Sequence, residues 1–270
     1  MTITKGDQMK NNTFKLLMLS ISIILLMFLT IPILKMFTHS TLDIFYQSAM
    51  EKEVITSIFL TLRASFVATL LTIFLGVPLA YSLSRYKFPG KFIIESIINI
   101  PLIIPHTAAG IALLTVFGDQ FIGGRFFSYF GISFTGNFAG IVIAMMFVSM
   151  PFLINETKEG FNKIDEKYEK VARTLGASPL QSFLKIVLPM NKNHILSGAL
   201  MMWARGISEF GAVLVLAYHP MTAPVLIYER FTSYGLKYSV PVAGIMIIIT
   251  TVIFTLLKVF QKKDVLDDRN

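Results

Sequence analysis

Six long apolar stretches, at about residues 14–37, 56–84, 92–117, 138–154, 195–218 and 239–260, constrain this chain more than any other feature. An α-helix rises about 1.5 Å per residue, so about 20 mostly apolar residues cross the hydrocarbon core of a bilayer. Backbone in lipid must satisfy its own hydrogen bonds, and runs of this length do so as helices. The sequence therefore predicts an all-α membrane protein with six transmembrane helices, in one domain over residues 1–270 with no appended regulatory domain. With 54% hydrophobic and only 15% charged residues, the chain lacks the polar surface of a soluble domain. The first run is too long for a secretory signal, contains Pro32, and is followed by no small-residue cleavage site.

Charge orients the spans. With the amino terminus inside, seventeen Lys and Arg fall on inner segments and five on outer loops, while Arg63 and Arg205 lie within spans. That asymmetry predicts both termini in the cytoplasm of a multi-pass plasma-membrane protein. The net charge of +8 is thus a membrane signature and does not point to nucleic acid. No Cys is present, which excludes disulfides and thiolate metal sites.

Residues 155–194 form an inner segment too long and too regularly apolar for an idle connection. Within it, 168–189 reads YEKVARTLGASPLQSFLKIVLP. Asp165, Glu166 and Glu169 favour a helix start. Gly176 fits a helix C-terminus, since glycine adopts left-handed backbone at little cost. Ser178 and Pro179 restart a helix as N-cap and first residue, and Leu180, Phe183, Leu184 and Val187 give it one apolar face ending at Leu188-Pro189. The expectation is two short helices meeting at an exposed elbow, fixed to two spans and able to dock into another protein.

This stretch resembles the EAA loop of ABC importer permeases through Glu169, Ala172, Leu175, Gly176, Ala177, Ile186, Leu188 and Pro189, although Lys170 and Val171 stand where small or acidic residues are usual. NIPLIIPHTAAG at 99–110 and WARGISEFGA at 203–212 resemble the third and fifth spans of molybdate, tungstate and sulfate permeases. GAVLVLAYHPMTAPVLIYER at 211–230 resembles archaeal-type tungstate/molybdate permeases most. The resemblance implies a type I ABC importer permease fold and a coupling helix at 172–179. Glu169, Ala172, Leu175, Gly176, Ala177, Ser178 and Pro179 would then engage a separate ATPase. It further implies a homodimer, two ATPase subunits carrying the ATP and Mg, and an extracytoplasmic oxyanion-binding protein docked near residues 40–53, 118–136 and 219–234. The implied cargo is molybdate or tungstate; a permease for sulfate or another small anion is the alternative, and a secondary carrier a further one.

Several residues inside the spans carry two readings. Pro101 and Pro105 each remove a backbone donor and bend the third span, as a gate lining the path with Asn99 or as a structural kink. Arg205 and Glu209, four apart on one helix face, either pair with each other or flank a path for dianions. His106, beside Thr107, is a cavity residue or a hydrogen-bonded helix residue. Arg63 is expected to snorkel to lipid phosphates at the outer end of its span, and Ser65, Thr69 and Thr72 to bond across helices. His39, His194 and His219 have no metal-ligand spacing, and no G-x-x-x-x-G-K-[ST] loop or nucleophile motif occurs, so the chain is expected to be neither ATPase nor enzyme and to hold no metal or cofactor of its own.

Overall fold

The computed structural model describes the backbone of residues 5–267 and the side chains of residues 14–259. Lys5, Lys10, Lys262, Lys263 and Arg269, which contribute to the charge asymmetry, lie outside the described side chains. The order is α1 (Lys5–Phe37), α2 (Leu42–Met50), α3 (Lys52–Arg85), α4 (Lys91–Asn99, extended by a 3-10 turn to Leu102), α5 (His106–Phe117), α6 (Ile122–Ser128) and α7 (Phe138–Lys163). Then come α8 (Lys167–Thr174), α9 (Pro179–Ser182), a π-helical turn (Phe183–Val187), α10 (Leu188–Met190), α11 (Lys192–Ile207), α12 (Gly211–Leu216), α13 (Ala223–Tyr234) and α14 (Leu236–Asp267).

Among the described residues, the six continuous spans expected from hydropathy become four long helices, 14–37, 52–85, 138–163 and 236–259, plus one broken pair. The pair is Lys91–Leu102 with His106–Phe117, bent by 113°. The expected third span is therefore severed, not merely kinked, at residues 103–105. The expected fifth span is also split. α11 has 16 residues, about 24 Å of helix against about 30 Å of hydrocarbon, and α12 begins only after Ser208, Glu209 and Phe210. Hydropathy measures transfer of side chains into lipid and is blind to such a break. The expected fourth span, 138–154, is longer in the structure: α7 continues to Lys163 with Pro151 buried inside it. α14 runs on through Asp267, and the remaining residues lie outside those described.

α3, α7 and α11 pack along one another as the central bundle. Its core includes Ala64, Ala68, Val77, Ala80, Leu83, Ile141, Met145, Val148, Leu153, Phe161, Ala199 and Met202. Small residues on α3 let the backbones approach, as suits association in lipid, where packing and not water drives contact. Of the hydroxyls expected to bond between helices, Ser65 does so, donating to the Trp203 carbonyl at 2.7 Å. Thr69 and Thr72 instead return to carbonyls of α3 itself. Arg63 lies over the Phe138 ring at 4.6 Å, so a cation–π contact at the start of α7 holds its head. A second small core, with Val54, Ile58, Ile207, Ala223, Leu226, Val242 and Met246, joins α3, α11, α13 and α14. α1 stands off the bundle with its side chains 14–35 exposed, the surface a lipid-facing helix presents.

Candidate functional site

The elbow at 165–191 forms one end of the bundle. Asp165 accepts the Lys167 backbone N–H at 2.8 Å, and this bond, with the Lys167 ammonium beside it, holds the Asp165 carboxyl below its usual range. α8 ends at Thr174, and Gly176 takes φ +91, a left-handed conformation. Ser178 and Gln181 then form a reciprocal capping box: Gln181 N–H donates to Ser178 Oγ at 3.2 Å, and Ser178 N–H to Gln181 Oε1 at 2.9 Å. Ser178→Ala will cost this arm about 1 kcal/mol of local stability, read as about fivefold faster hydrogen exchange at the Gln181 amide.

Three sequence expectations change here. The stretch 172–179 is not itself a helix but the end of α8, the turn and the start of α9. Leu188-Pro189 does not end the second arm, which runs through Met190. Its apolar residues do not share one face: Val187 is buried and Phe183 packs inward, while Leu180 and Leu184 are exposed. The π-helical turn adds a residue per turn and so shifts the helical register.

Glu169 does not point away from the protein. It accepts from Tyr81 Oη and Arg85 Nε, both at 2.6 Å. Arg85 also donates to the Phe161 carbonyl at 2.9 Å and the Ile164 carbonyl at 3.0 Å. One guanidinium at the end of α3 thus ties together α3, the end of α7 and α8. Tyr81 adds ring contacts to Phe183 and Phe161 at 4.7 and 5.5 Å. Ala172, on the same helix as Glu169, is buried. Sequence reasoning missed Arg85 and Tyr81; their only signal is a polar pair in the last turn of a span facing a charged elbow. Leu175, at 83% exposure, and Val171 on one arm, with Leu180 and Leu184 on the other, leave a bare apolar tip around Gly176. Ser178 and Pro179 lie exposed on it, and Ala177 is half-buried.

The second cluster lies where the two broken segments meet. α5 starts at His106, and α12 packs against it. Gly211 makes this possible, because an added Cβ would stand 2.7 Å from His106 Cβ and 3.1 Å from the Thr107 nitrogen. Gly110 faces Ala212 and Val215 as closely. Glu209, 1% exposed, accepts the Ala212 backbone N–H at 2.9 Å through Oε1, which starts α12. Its Oε2 lies 3.0 Å from Arg205 Nη2 and 2.7 Å from His106 Nδ1. Arg205 Nη2 also lies 2.8 Å from His106 Nδ1. That nitrogen cannot both donate to Glu209 and accept from Arg205, and donation to Glu209 leaves both charged partners satisfied. Arg205 and Glu209 therefore pair, although Glu209 lies past the end of α11 and not on its face, and His106 joins them from another helix. Asn99 and Pro101 do not: Asn155 donates to Asn99 Oδ1 at 2.7 Å, joining α4 to α7, and Pro101 is buried. Pro105 caps α5, and Thr107 is exposed beside His106.

At the bundle end opposite the elbow, Arg230 of α13 pairs with Glu51 and with Glu53. Burial would lower its pKa, but the hydrogen bonds to both carboxylates raise it above its usual value.

Residues 72–264 match the family described as binding-protein-dependent transport system inner membrane component. The chain is 42% identical over 236 residues to "Molybdate/tungstate transport system permease protein WtpB" of Pyrococcus furiosus, covering 87% of this chain and 90% of that one. It is 34% identical over 213 residues to "Probable sulfate transport system permease protein cysT" of Chlorokybus atmophyticus, covering 76% and 74%. Among solved structures, a bacterial ABC transporter involved in the import of alginate matches with a TM-score of 0.75 at 18% identity, covering 96% of this chain and 98% of that one.

Proposed function

Because this chain belongs to the family of binding-protein-dependent transport system inner membrane components, we propose that it is the membrane-spanning subunit of an ATP-driven importer of molybdate or tungstate. Both termini lie in the cytoplasm, as the seventeen-to-five asymmetry of Lys and Arg favours. The elbow then faces a cytoplasmic ATPase that holds the ATP and Mg. Two copies of this chain surround the path on a two-fold axis, and a binding protein delivers the anion at the opposite end. The observation that carries the coupling role is the bare apolar tip around Gly176 on an arm whose base is locked to α3 by Arg85. An exposed cluster of this kind marks a docking surface, and a locked base turns displacement of the tip into displacement of α3 and α7. Nucleotide drives the cycle only if the ATPase binds the two states of the permease differently. The cargo reading rests on 42% identity to the molybdate/tungstate relative against 34% to the sulfate relative.

The test is uptake of labelled molybdate, tungstate and sulfate by the complex reconstituted with its ATPase and binding protein. Molybdate and tungstate should accumulate with ATP; accumulation of sulfate alone would overturn the cargo, and transport by this chain without an ATPase would overturn the coupling. With Leu175→Asp and Leu180→Asp together, the chain should still insert and purify but should lose the ATPase and at least tenfold of uptake. Full ATPase retention with unchanged uptake would remove the tip as docking surface.

A further inference from the structure

We propose that Glu209 is a built-in counter-anion for Arg205, occupying the place that a divalent tetrahedral oxyanion takes in transit. This rests on the importer reading and adds to it a residue that sets how tightly the permease itself holds cargo.

The cluster has a buried anchor and an accessible side. Glu209 is 1% exposed, whereas the Arg205 and His106 side chains are 23% and 42% exposed. The carboxylate is over-determined: the Ala212 N–H and His106 Nδ1 both reach it without help from Arg205. Arg205 keeps a second partner of its own, donating from Nη1 to Ser208 Oγ at 3.2 Å. For the guanidinium to take another anion, Arg205 Nη2 must leave Glu209 Oε2 and the His106 ring, whose Nδ1 and Nε2 lie 2.8 and 3.0 Å from it. Glu209 then stays where it is, and α12 keeps its first turn.

Charge explains why such an exchange suits a path. A lone Arg among apolar helices would bind a dianion strongly and hold it, because no water competes for either ion. A tethered carboxylate competes for the same donor. The passing anion gains contact with Arg205 but must displace Glu209 and then lies near a negative charge. Two opposed contributions of similar size leave the site weak, so the anion leaves as readily as it enters. The position also adjoins the breaks at 103–105 and 208–210, and non-helical backbone at membrane depth is tolerated where it packs on protein or lines a cavity.

Glu209→Gln tests this directly. Glutamine retains an oxygen for the Ala212 N–H, so α12 keeps its start, but the charge on Arg205 is no longer offset. The complete complex, in lipid nanodiscs without its binding protein, should retain labelled molybdate at least tenfold more tightly than wild type. Adding Arg205→Gln should abolish the gain. ATP-driven uptake by Glu209→Gln with the binding protein present should fall at least tenfold while ATP hydrolysis continues. Retention no greater than wild type would overturn the proposal. Should Glu209→Gln fail to assemble, Arg205→Gln alone decides: uptake should drop at least tenfold with the ATPase still bound, and wild-type uptake would overturn it. Failure of the wild-type complex to import any oxyanion would instead sink the importer reading, and the nanodisc comparison would still decide the role of Glu209.

Discussion

Arg85→Ala will disconnect the elbow from the spans, and ATP-driven uptake will fall at least tenfold while the chain still inserts in the membrane. The Arg85 side chain is 9% exposed and serves Glu169, the Phe161 carbonyl and the Ile164 carbonyl at once. Its removal leaves Glu169 with Tyr81 alone and leaves both carbonyls without this donor. Breaking a largely buried, hydrogen-bonded ion pair costs about 3 kcal/mol or more, much of it from the charge left behind. That loss falls on the joint and not on the core, so its sign is mechanical. The ATPase should still bind the apolar tip and hydrolyse ATP, but the stroke should no longer reach α3. Uptake and ATP hydrolysis measured on the same proteoliposomes check this, and an Arg85→Ala complex with wild-type uptake would refute the joint. Arg85→Lys should restore little, because one ammonium cannot spread over three acceptors as a planar guanidinium does.

Gly160→Val is expected to have the largest effect on assembly of the fold. Gly160 faces α11 from the last turns of α7. Any Cβ there would overlap Asn191 Oδ1 and stand 2.5 Å from His194 Cβ. Neither neighbour can step aside. Asn191 is fully buried and donates to the Thr157 carbonyl at 2.9 Å, and His194 Nδ1 lies 2.8 Å from Glu156 Oε1. Overpacking of this kind costs about 3 kcal/mol when the wall is rigid, and here it would part α7 from α11 just where the elbow leaves and re-enters the bundle. The yield of monodisperse protein should drop severely and the melting temperature in detergent should fall by several degrees. Gly90→Ala is the control. That glycine has φ +85 but nothing within 4 Å of a new Cβ, so only the left-handed backbone is penalised, by about 1 kcal/mol. Equal losses for the two variants would show that crowding at Gly160 is not the cause.

The sequence by itself determined the solvent, the helical class and the elbow, because each follows from a local rule. Apolar runs of spanning length report on transfer into lipid, and Gly176 with Ser178 and Pro179 reports on backbone that only a turn accepts. Arg205 and Glu209 do meet, one of the two readings their spacing left open, but Glu209 does so from beyond the end of α11. Whether a run stays continuous was decided only in the tertiary structure. Pro151 is carried within α7, whereas Pro105 caps a new helix after a sharp bend and the 195–218 run breaks without any proline. Long-range contact makes the difference: α12 settles against α5 because Gly211 and Gly110 admit the close approach, and Glu209 starts its first turn. The same holds for Glu169, whose partners Tyr81 and Arg85 stand 88 and 84 positions away along the chain. Partners that distant are joined by packing, and no periodicity within either segment encodes which one the other will meet.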